Sequence, residues 1–299
     1  MFSPDQYALL DFGHGRKLER FGEVVLDRPS PAAAEVSPGD PQLWETATAQ
    51  FVSAGDTTAG CGQRGRWEPR AALPDQWTIE HPPLVFELRP TEFGHVGVFP
   101  EQADNWSWIA QRVSRFGSVA SEGDPLGERP RVLNLFAYTG GSTHAAAAAG
   151  AAVVHIDAAK STVAWARRNA ELSGLSAAPV RWIADDALRF VAREQKRGSR
   201  YHGIILDPPS YGHGPKGEVW QLERDLPALL ARCGALLAEN AFVLLTCHST
   251  GITPGELQRC LEESLHAARG NDVEAQDLFL IAADGRRLHS GLAARWTSA

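Results

Sequence analysis

The sequence predicts an α/β protein built on a doubly wound sheet of seven strands, preceded by a small β-rich domain. Three observations carry that expectation. From Arg131 onward, short apolar runs alternate with helical stretches of roughly 10–15 residues, and the last two β-like runs follow one another with no helix between them. Residues 1–90 lack this rhythm and hold instead many of the prolines and the tryptophans Trp44, Trp67 and Trp77. Regular strand–helix alternation implies right-handed βαβ units and a parallel sheet, while two closing strands without a crossover imply an antiparallel edge.

Within residues 1–90, stretches such as Glu23-Val24-Val25-Leu26 and Leu84-Val85-Phe86-Glu87-Leu88 are separated by Arg28-Pro29-Ser30-Pro31, Ser37-Pro38-Gly39-Asp40 and His81-Pro82-Pro83. Proline and glycine clusters between short apolar runs are turn signals, so this region reads as a β-rich domain. The second domain is placed at 91–299, with 91–130 as a pre-core strand and helix. Arg131–Tyr138 is an apolar strand and 140–150 an alanine-rich helix; Ala152–Asp157 is a second strand ending in an acid. Ala159, Val163, Ala166 and Ala170 then recur at helical spacing, and Gly174 is placed to end that helix. A third strand leads into Asp185-Asp186 and a helix from Ala187 to about Gln195. Ile204-Ile205-Leu206 reads as a short strand buried on both faces, which Pro208 and Pro209 terminate because they can neither donate to the ladder nor continue it. A leucine- and alanine-rich helix is expected over 218–237, a fifth strand over 241–249, a helix over 254–268, and β-like stretches over 272–282 and 288–297.

Bulk properties narrow the class. With 299 residues, 43% hydrophobic and 22% charged, the chain can bury a sizeable core. No apolar run approaches the ~20 residues of a membrane span, and the first fifteen residues lack the basic and apolar regions of a signal peptide, so a cytoplasmic location is the expectation. Cys61, Cys233, Cys247 and Cys260 form no CxxC pair and no zinc-like spacing, which predicts reduced thiols and no metal. A net charge of −7 argues against broad nonspecific nucleic-acid affinity, though a local basic groove stays open.

Acids or glycines close each of the first four strands of the alternating region, so all point at one edge of the sheet, where open α/β sheets bind ligands. In Phe136-Ala137-Tyr138-Thr139-Gly140-Gly141, the glycine pair lets the chain turn sharply and lets a ligand approach a helix N-terminus; the same pair also suits a plain strand-to-helix turn. No GxGxxG is present, which counts against a dinucleotide site. Asp157 stands where an acid grips ribose hydroxyls in doubly wound folds, and it is equally placed to cap the following helix. One of Asp185 and Asp186 is expected to accept from an adenine amino group and the other to cap the next helix; the spacing to Ala187-Leu188-Arg189 favours Asp186 for the cofactor.

Together, VLNLFAYTGGSTHAAAAAGA, VVHIDAAKSTVAWARRNAELSGL and IILDPPSYG resemble the catalytic domain of the S-adenosylmethionine (SAM)-dependent ribosomal RNA large-subunit methyltransferases, nearest the subgroup that modifies cytosine or guanine and carries a DPP-aromatic motif. FGHVGVFPEQADNW (93–106) is similar to that subgroup's pre-core motif, and GRKLERFGEVVLDRP (15–29) also looks family-like. Ser210 shifts the usual aromatic by one position, and no PUA-like RNA-binding module is recognisable in residues 1–90. The resemblance implies a class I methyltransferase sheet, SAM as cofactor and an RNA base as acceptor, in ribosomal RNA. It implies cofactor contacts from Phe99, Gln102, Asn105, Phe136, Tyr138, Thr139, Gly140, Gly141, Asp157, Ala158, Asp185, Asp186 and Asp207. Trp106 and Trp108 are read either as stacking on adenine or substrate or as helix packing.

Two chemistries fit. For an exocyclic amine, Asp207 and the Pro208 carbonyl accept the amino protons while Tyr211 stacks on the base. For carbon 5 of a pyrimidine a thiolate must first add at carbon 6, and Cys247 at the end of the fifth strand is the candidate. His248 beside it is discounted as that thiol's base, because adjacent residues on a strand point to opposite faces. Lys216, in the glycine-rich loop after Tyr211, is available for a phosphate. Competing readings are a protein or small-molecule acceptor, a nucleotide-binding oxidoreductase and a catalytically silent binding module. A cluster of Arg64, Arg66, Arg70, Lys196, Arg197 and Arg200 on the site's face favours nucleic acid, and scattered placement the small acceptor. The assembly is expected to be a monomer or homodimer.

Overall fold

The computed structural model describes residues 1–54, 64–119, 129–214, 217–249, 251–265 and 272–298. Cys61 and Lys216 lie outside the described residues. The chain divides into two compact units, Met1–Ala103 with Phe279–Ser290, and Asp104–Leu278 with Gly291–Ala299.

In the first unit, β1 (Tyr7–Gly13), β2 (Arg16–Phe21), β3 (Val24–Pro29), β4 (Ala49–Ser53) and β5 (Gly65–Pro69) form a five-stranded sheet in that order. β1, β2 and β3 meander antiparallel, β3 pairs with β4 in parallel, and β6 (Thr78–His81) and β7 (Leu84–Glu87) form a hairpin. Leu9, Leu18, Phe21, Leu26, Phe51, Ile79 and Phe86 fill its core. A buried carboxylate, Glu19, is satisfied by Arg28 and by the Tyr7 hydroxyl at 2.8 Å, which is what makes its burial tolerable. This unit runs past residue 90 because its main chain stays bonded there: the Leu88 amide donates to Trp77 O at 2.7 Å and the Gly65 amide to Glu92 O at 2.8 Å. It also takes in residues 279–290, whose Arg286 donates to the Asp11 carboxylate and to Phe12 O.

The second unit begins with α1 (Ala103–Val119). Residues 91–102, expected to hold a pre-core strand, contain only the 3-10 turn Pro100–Gln102. The alternating region follows as β8 (Arg131–Leu135), α2 (Gly141–Ala148), β9 (Ala152–Asp157), α3 (Lys160–Leu172), β10 (Val180–Ala184), α4 (Ala187–Lys196) and β11 (Tyr201–Leu206). Next come β12 (Tyr211–His213), β13 (Val219–Gln221), α5 (Leu222–Gly234), β14 (Leu237–Cys247), α6 (Pro254–Leu265), β15 (Glu274–Ile281) and β16 (Arg287–Thr297). The sheet is seven-stranded in the order β10-β9-β8-β11-β14-β16-β15, parallel from β10 to β14 and antiparallel between β14 and β16. This is the class I methyltransferase arrangement.

One expected element is corrected. Residues 218–221 do not start the helix; Val219–Gln221 pairs antiparallel with Tyr211–His213. A β-branched and an aromatic residue follow the glycine-bearing turn at Gly217 (φ 85°), and that local chemistry closes a hairpin before α5 begins. The core packs Leu133, Leu135, Ile156, Ile204, Leu206, Val243 and Leu245 of the sheet against Phe190, Leu229, Leu230 and Leu261 of the helices, all 1% exposed or less. Each such side chain contributes about 1.5–3 kcal/mol by leaving water, so the strands that present the site are held stiffly.

Candidate active site

The chain leaves β8 to build strands on one side, then returns to β11 and builds on the other. The crevice of such a sheet opens at the carboxyl ends of the two central strands. There β8 ends abruptly because Phe136 (φ 55°) and Tyr138 (φ 48°) take left-handed conformations, with Gly140 at φ 93°. Two non-glycine residues in that region are strained by about 1–3 kcal/mol each and persist only where the surroundings fix them. Here the fixing group is Asp157 at the end of β9. Its Oδ2 accepts from the Tyr138 amide and its Oδ1 from the Ala159 amide, both at 3.0 Å. Asn169 on α3 adds a bond to Thr139 O at 3.1 Å. Burial pushes the Asp157 carboxyl up, against the lowering pull of the Ala159 and Tyr138 amides and, least, of the neighbouring Ala158 amide.

The glycine pair packs against protein. A Cβ on Gly140 would fall 2.7 Å from the His144 ring, and one on Gly141 would fall 2.6 Å from the Trp106 ring. Trp106 therefore seals the start of α2. His144 Nε2 donates to Ala166 O at 3.0 Å, tying α2 to α3, and burial lowers its pKa to about 4, so the ring is neutral. Trp108 packs edge-on against Phe242. Both tryptophans thus pack against protein.

At the end of β10 the two acids divide their work in a way the sequence did not favour. Asp186 is the N-cap of α4, its Oδ1 accepting from the Arg189 amide at 2.8 Å. Asp185 faces Arg193 in an ion pair and accepts from the Asp186 amide at 2.9 Å. The cap role expected of Asp185 belongs to Asp186, because its extended backbone (φ −72°, ψ 133°) aims the carboxylate at the first turn.

Asp207, at the end of β11, has its side chain 31% exposed. Its Oδ1 accepts from Thr246 Oγ1 at 2.6 Å and lies 3.5 Å from His248 Nε2. Its Oδ2 has no hydrogen-bond partner among the described residues. Thr246 was not singled out from sequence; the signal was available in the alternation of β14, which puts Thr246 and Cys247 on opposite faces of the strand. Cys247 is 1% exposed within the core cluster, and burial pushes its thiol up against the lowering pull of the Ser249 amide and hydroxyl, with a smaller push upward from the Asp207 charge. Pro208 is buried, whereas Tyr211 stands 54% exposed on the hairpin β12–β13. That hairpin is fixed by Trp220, which was also not singled out: its Nε1 donates to Pro209 O at 2.7 Å and its ring packs 4.9 Å from Phe136.

Asn105 is fully buried, its Oδ1 accepting from Arg295 at 2.6 Å. Phe99 and Gln102 belong to the first unit, where Phe99 packs edge-on against His95. The basic residues that would discriminate between acceptors fall in both units. Lys196, Arg197 and Arg200 precede β11 and so lie at the amino edge of the sheet, opposite Asp207. In the first unit Arg64 and Arg66 are paired with Glu92 and Glu68.

The crevice is lined by acceptors: Asp157, Asp185, Asp186 and Asp207. That acceptor set suits a ligand bearing hydroxyls, an amino group and a positive charge, as SAM does, and opposes a pyrophosphate. Asp157 keeps one lone pair on each oxygen beyond its two amide bonds, enough for two ribose hydroxyls. The residues therefore fit SAM.

Comparisons with known proteins agree. Residues 116–269, just over half of the chain, match the family model of S-adenosylmethionine-dependent methyltransferase. Ribosomal RNA large subunit methyltransferase K/L of Hahella chejuensis is 36% identical over 173 residues, 57% of this chain and 22% of that protein. Ribosomal RNA large subunit methyltransferase I of Aeromonas salmonicida is 30% identical over 193 residues, 64% of this chain and 45% of that protein. The matches thus span less than half the length of these relatives. The crystal structure of the SAM dependent methyltransferase from Agrobacterium tumefaciens superposes with a TM-score of 0.85 at 37% identity, covering 98% of this chain and 91% of that one. SMU.776, solved as a complex with SAH, shares the fold at a TM-score of 0.75 and 17% identity, covering 99% and 76% of the two chains. A crevice suited to SAM, a family model over half the chain and a related enzyme aligned along nearly all of it have one meaning: this protein belongs to the SAM-dependent methyltransferase family.

Proposed function

We propose that this protein methylates a base of ribosomal RNA at an exocyclic amine. The observation that carries the reading is the contrast between two groups at the carboxyl edge of the sheet. The Asp207 carboxylate is part-exposed, with Oδ1 fixed by Thr246 and Oδ2 open. The Cys247 thiol is buried and held in its protonated form. An open carboxylate suits acceptance of amine protons, while addition to carbon 6 of a pyrimidine needs an accessible thiolate.

SAM, when bound, supplies a methyl group made electrophilic by its sulfonium. The chain's own residues then have three tasks: Asp157 and the loop it fixes orient the donor, Asp207 and the Pro208 carbonyl orient the acceptor nitrogen, and Tyr211 offers an exposed ring to the base. RNA as acceptor is supported by the relatives, which are ribosomal RNA large subunit methyltransferases. Among the described residues no helix is long and apolar enough to cross a membrane. Ribosomal RNA as substrate implies work in the cytoplasm.

The test is methyl transfer from labelled SAM to unmodified large-subunit ribosomal RNA, with the product nucleoside identified by mass spectrometry. The expected product is N-methylated, Cys247→Ala keeps turnover, and Asp207→Asn lowers kcat about 100-fold. A 5-methylcytidine product abolished by Cys247→Ala would replace this reading with the carbon-5 chemistry. One observation favours a second reading, a small-molecule acceptor: Lys196, Arg197 and Arg200 sit at the edge away from the site, in a chain of net charge −7. Activity on a metabolite extract with none on RNA would establish it.

A further inference from the structure

His248 has a built seat. Gly291 of β16 has φ 138°, and a Cβ there would fall 2.7 Å from His248 Nδ1, 3.0 Å from its Cε1 and 3.0 Å from Cys247 O. The imidazole thus lies over main chain where any other residue would put a side chain. From that seat Nε2 reaches to 3.5 Å of Asp207 Oδ1, the oxygen already fixed by Thr246, and the ring keeps 30% of its side-chain surface in water. We infer that His248 is a positioning residue that acts through Asp207, carrying to solvent the proton that Asp207 takes from the acceptor amine. The inference rests on the amine reading proposed above.

Atoms and electrons balance as follows. The acceptor nitrogen uses its lone pair to bond the methyl carbon as the carbon–sulfur bond breaks, and is left with one proton too many. A methylated base amine in that state is a far stronger acid than a carboxylic acid, so the proton passes to Asp207 Oδ2. An imidazole is a stronger base than a carboxylate, so the proton moves on from Oδ2, carried by a solvent water, to His248 Nε2 and then to bulk water. Release to bulk water is favourable above the imidazole's midpoint, and Asp207 is returned ionised for the next turnover. Among the ring's neighbours is Asp207, beyond the end of β11, and β16 meets the ring with the Gly291 backbone, which adds no charge.

Two experiments test this. On the free protein, which needs no acceptor, the His248 ring protons are titrated by NMR. Asp207→Asn is expected to lower the midpoint by about half a pH unit or more, because the imidazolium loses its anionic neighbour. An unchanged midpoint overturns the pairing. With large-subunit ribosomal RNA and SAM, kcat of the wild type is expected to fall tenfold per pH unit below the His248 midpoint. In His248→Gln that limb disappears, kcat at pH 7.5 drops about 10–100-fold and KM for RNA stays within about twofold. An N-methylated product, an inactive Asp207→Asn and an unaltered pH limb in His248→Gln overturn the relay while leaving the amine reading standing. A 5-methylcytidine product, or full turnover by Asp207→Asn, overturns both.

Discussion

Replacing Asp157 by alanine tests the cofactor site most directly, and the size of its effect can be worked from the geometry. Each carboxylate oxygen accepts one main-chain amide at 3.0 Å and keeps one lone pair for a ribose hydroxyl. A hydrogen bond to a charged group contributes about 1.5–3 kcal/mol, so losing two weakens SAM binding by about 3–6 kcal/mol. At 1.4 kcal/mol per tenfold, that is roughly 10²–10⁴ in Kd. Asp157→Asn keeps one acceptor oxygen but turns an NH₂ group toward one of the two amides, and a smaller loss of about 10–100-fold is expected. The assay is calorimetric titration with SAM, with NADH as a control that should give no heat, and a circular dichroism melt confirms that each variant is folded. The titration has a pH signature too. Burial raises the Asp157 carboxyl above its usual 3.8, so its neutral form is favoured in the fold; its contribution to stability is present at low pH and lost as pH rises through the folded value. SAM needs the ionised form, so affinity should begin to fall on acidification before an ordinary aspartate would protonate. A folded Asp157→Ala protein that binds SAM within threefold of the wild type would refute the assignment of this carboxylate to the ribose.

Two further outcomes follow from the structure. Asp186→Ala removes the cap of α4 and should cost about 0.5–2 kcal/mol in chemical denaturation, whereas Asp185→Ala, which leaves the cap in place, should cost less. In the first unit, burial would push Asp11 up, but the bonds from the Gly39 amide, Trp44, the Asp40 amide and Arg286 hold it at about 2. A depressed carboxylate stabilises above its unfolded pKa and loses that contribution as pH falls through the folded value, here roughly 2 kcal/mol between about pH 4 and pH 2. Asp11→Asn should therefore flatten the acid limb of the stability curve, read by denaturant melts across that range.

The alternating region shows how much of a site a sequence specifies by itself. Ala152–Asp157 is a strand with the bounds its pattern implies, and the acids at the ends of β9, β10 and β11 reach one edge because parallel strands in βαβ units all run the same way. Those features depend on periodicity, turn chemistry and chain direction, which neighbouring residues determine. Side-chain partners are another matter. The choice of Asp186 over Asp185 as cap turned on one residue's backbone angles, and the hairpin at Tyr211–His213 required Val219–Gln221 as its partner. Thr246 meets Asp207 across 39 positions and His248 finds its seat on Gly291, while the glycine pair, legible as room for a ligand, makes room for His144 and Trp106. The sequence alone determined the sheet, its direction and the edge that carries the acids. Tertiary structure decided which oxygen is open, which thiol is buried and which ring touches which carboxylate, because those depend on contacts between strands and helices far apart in the chain.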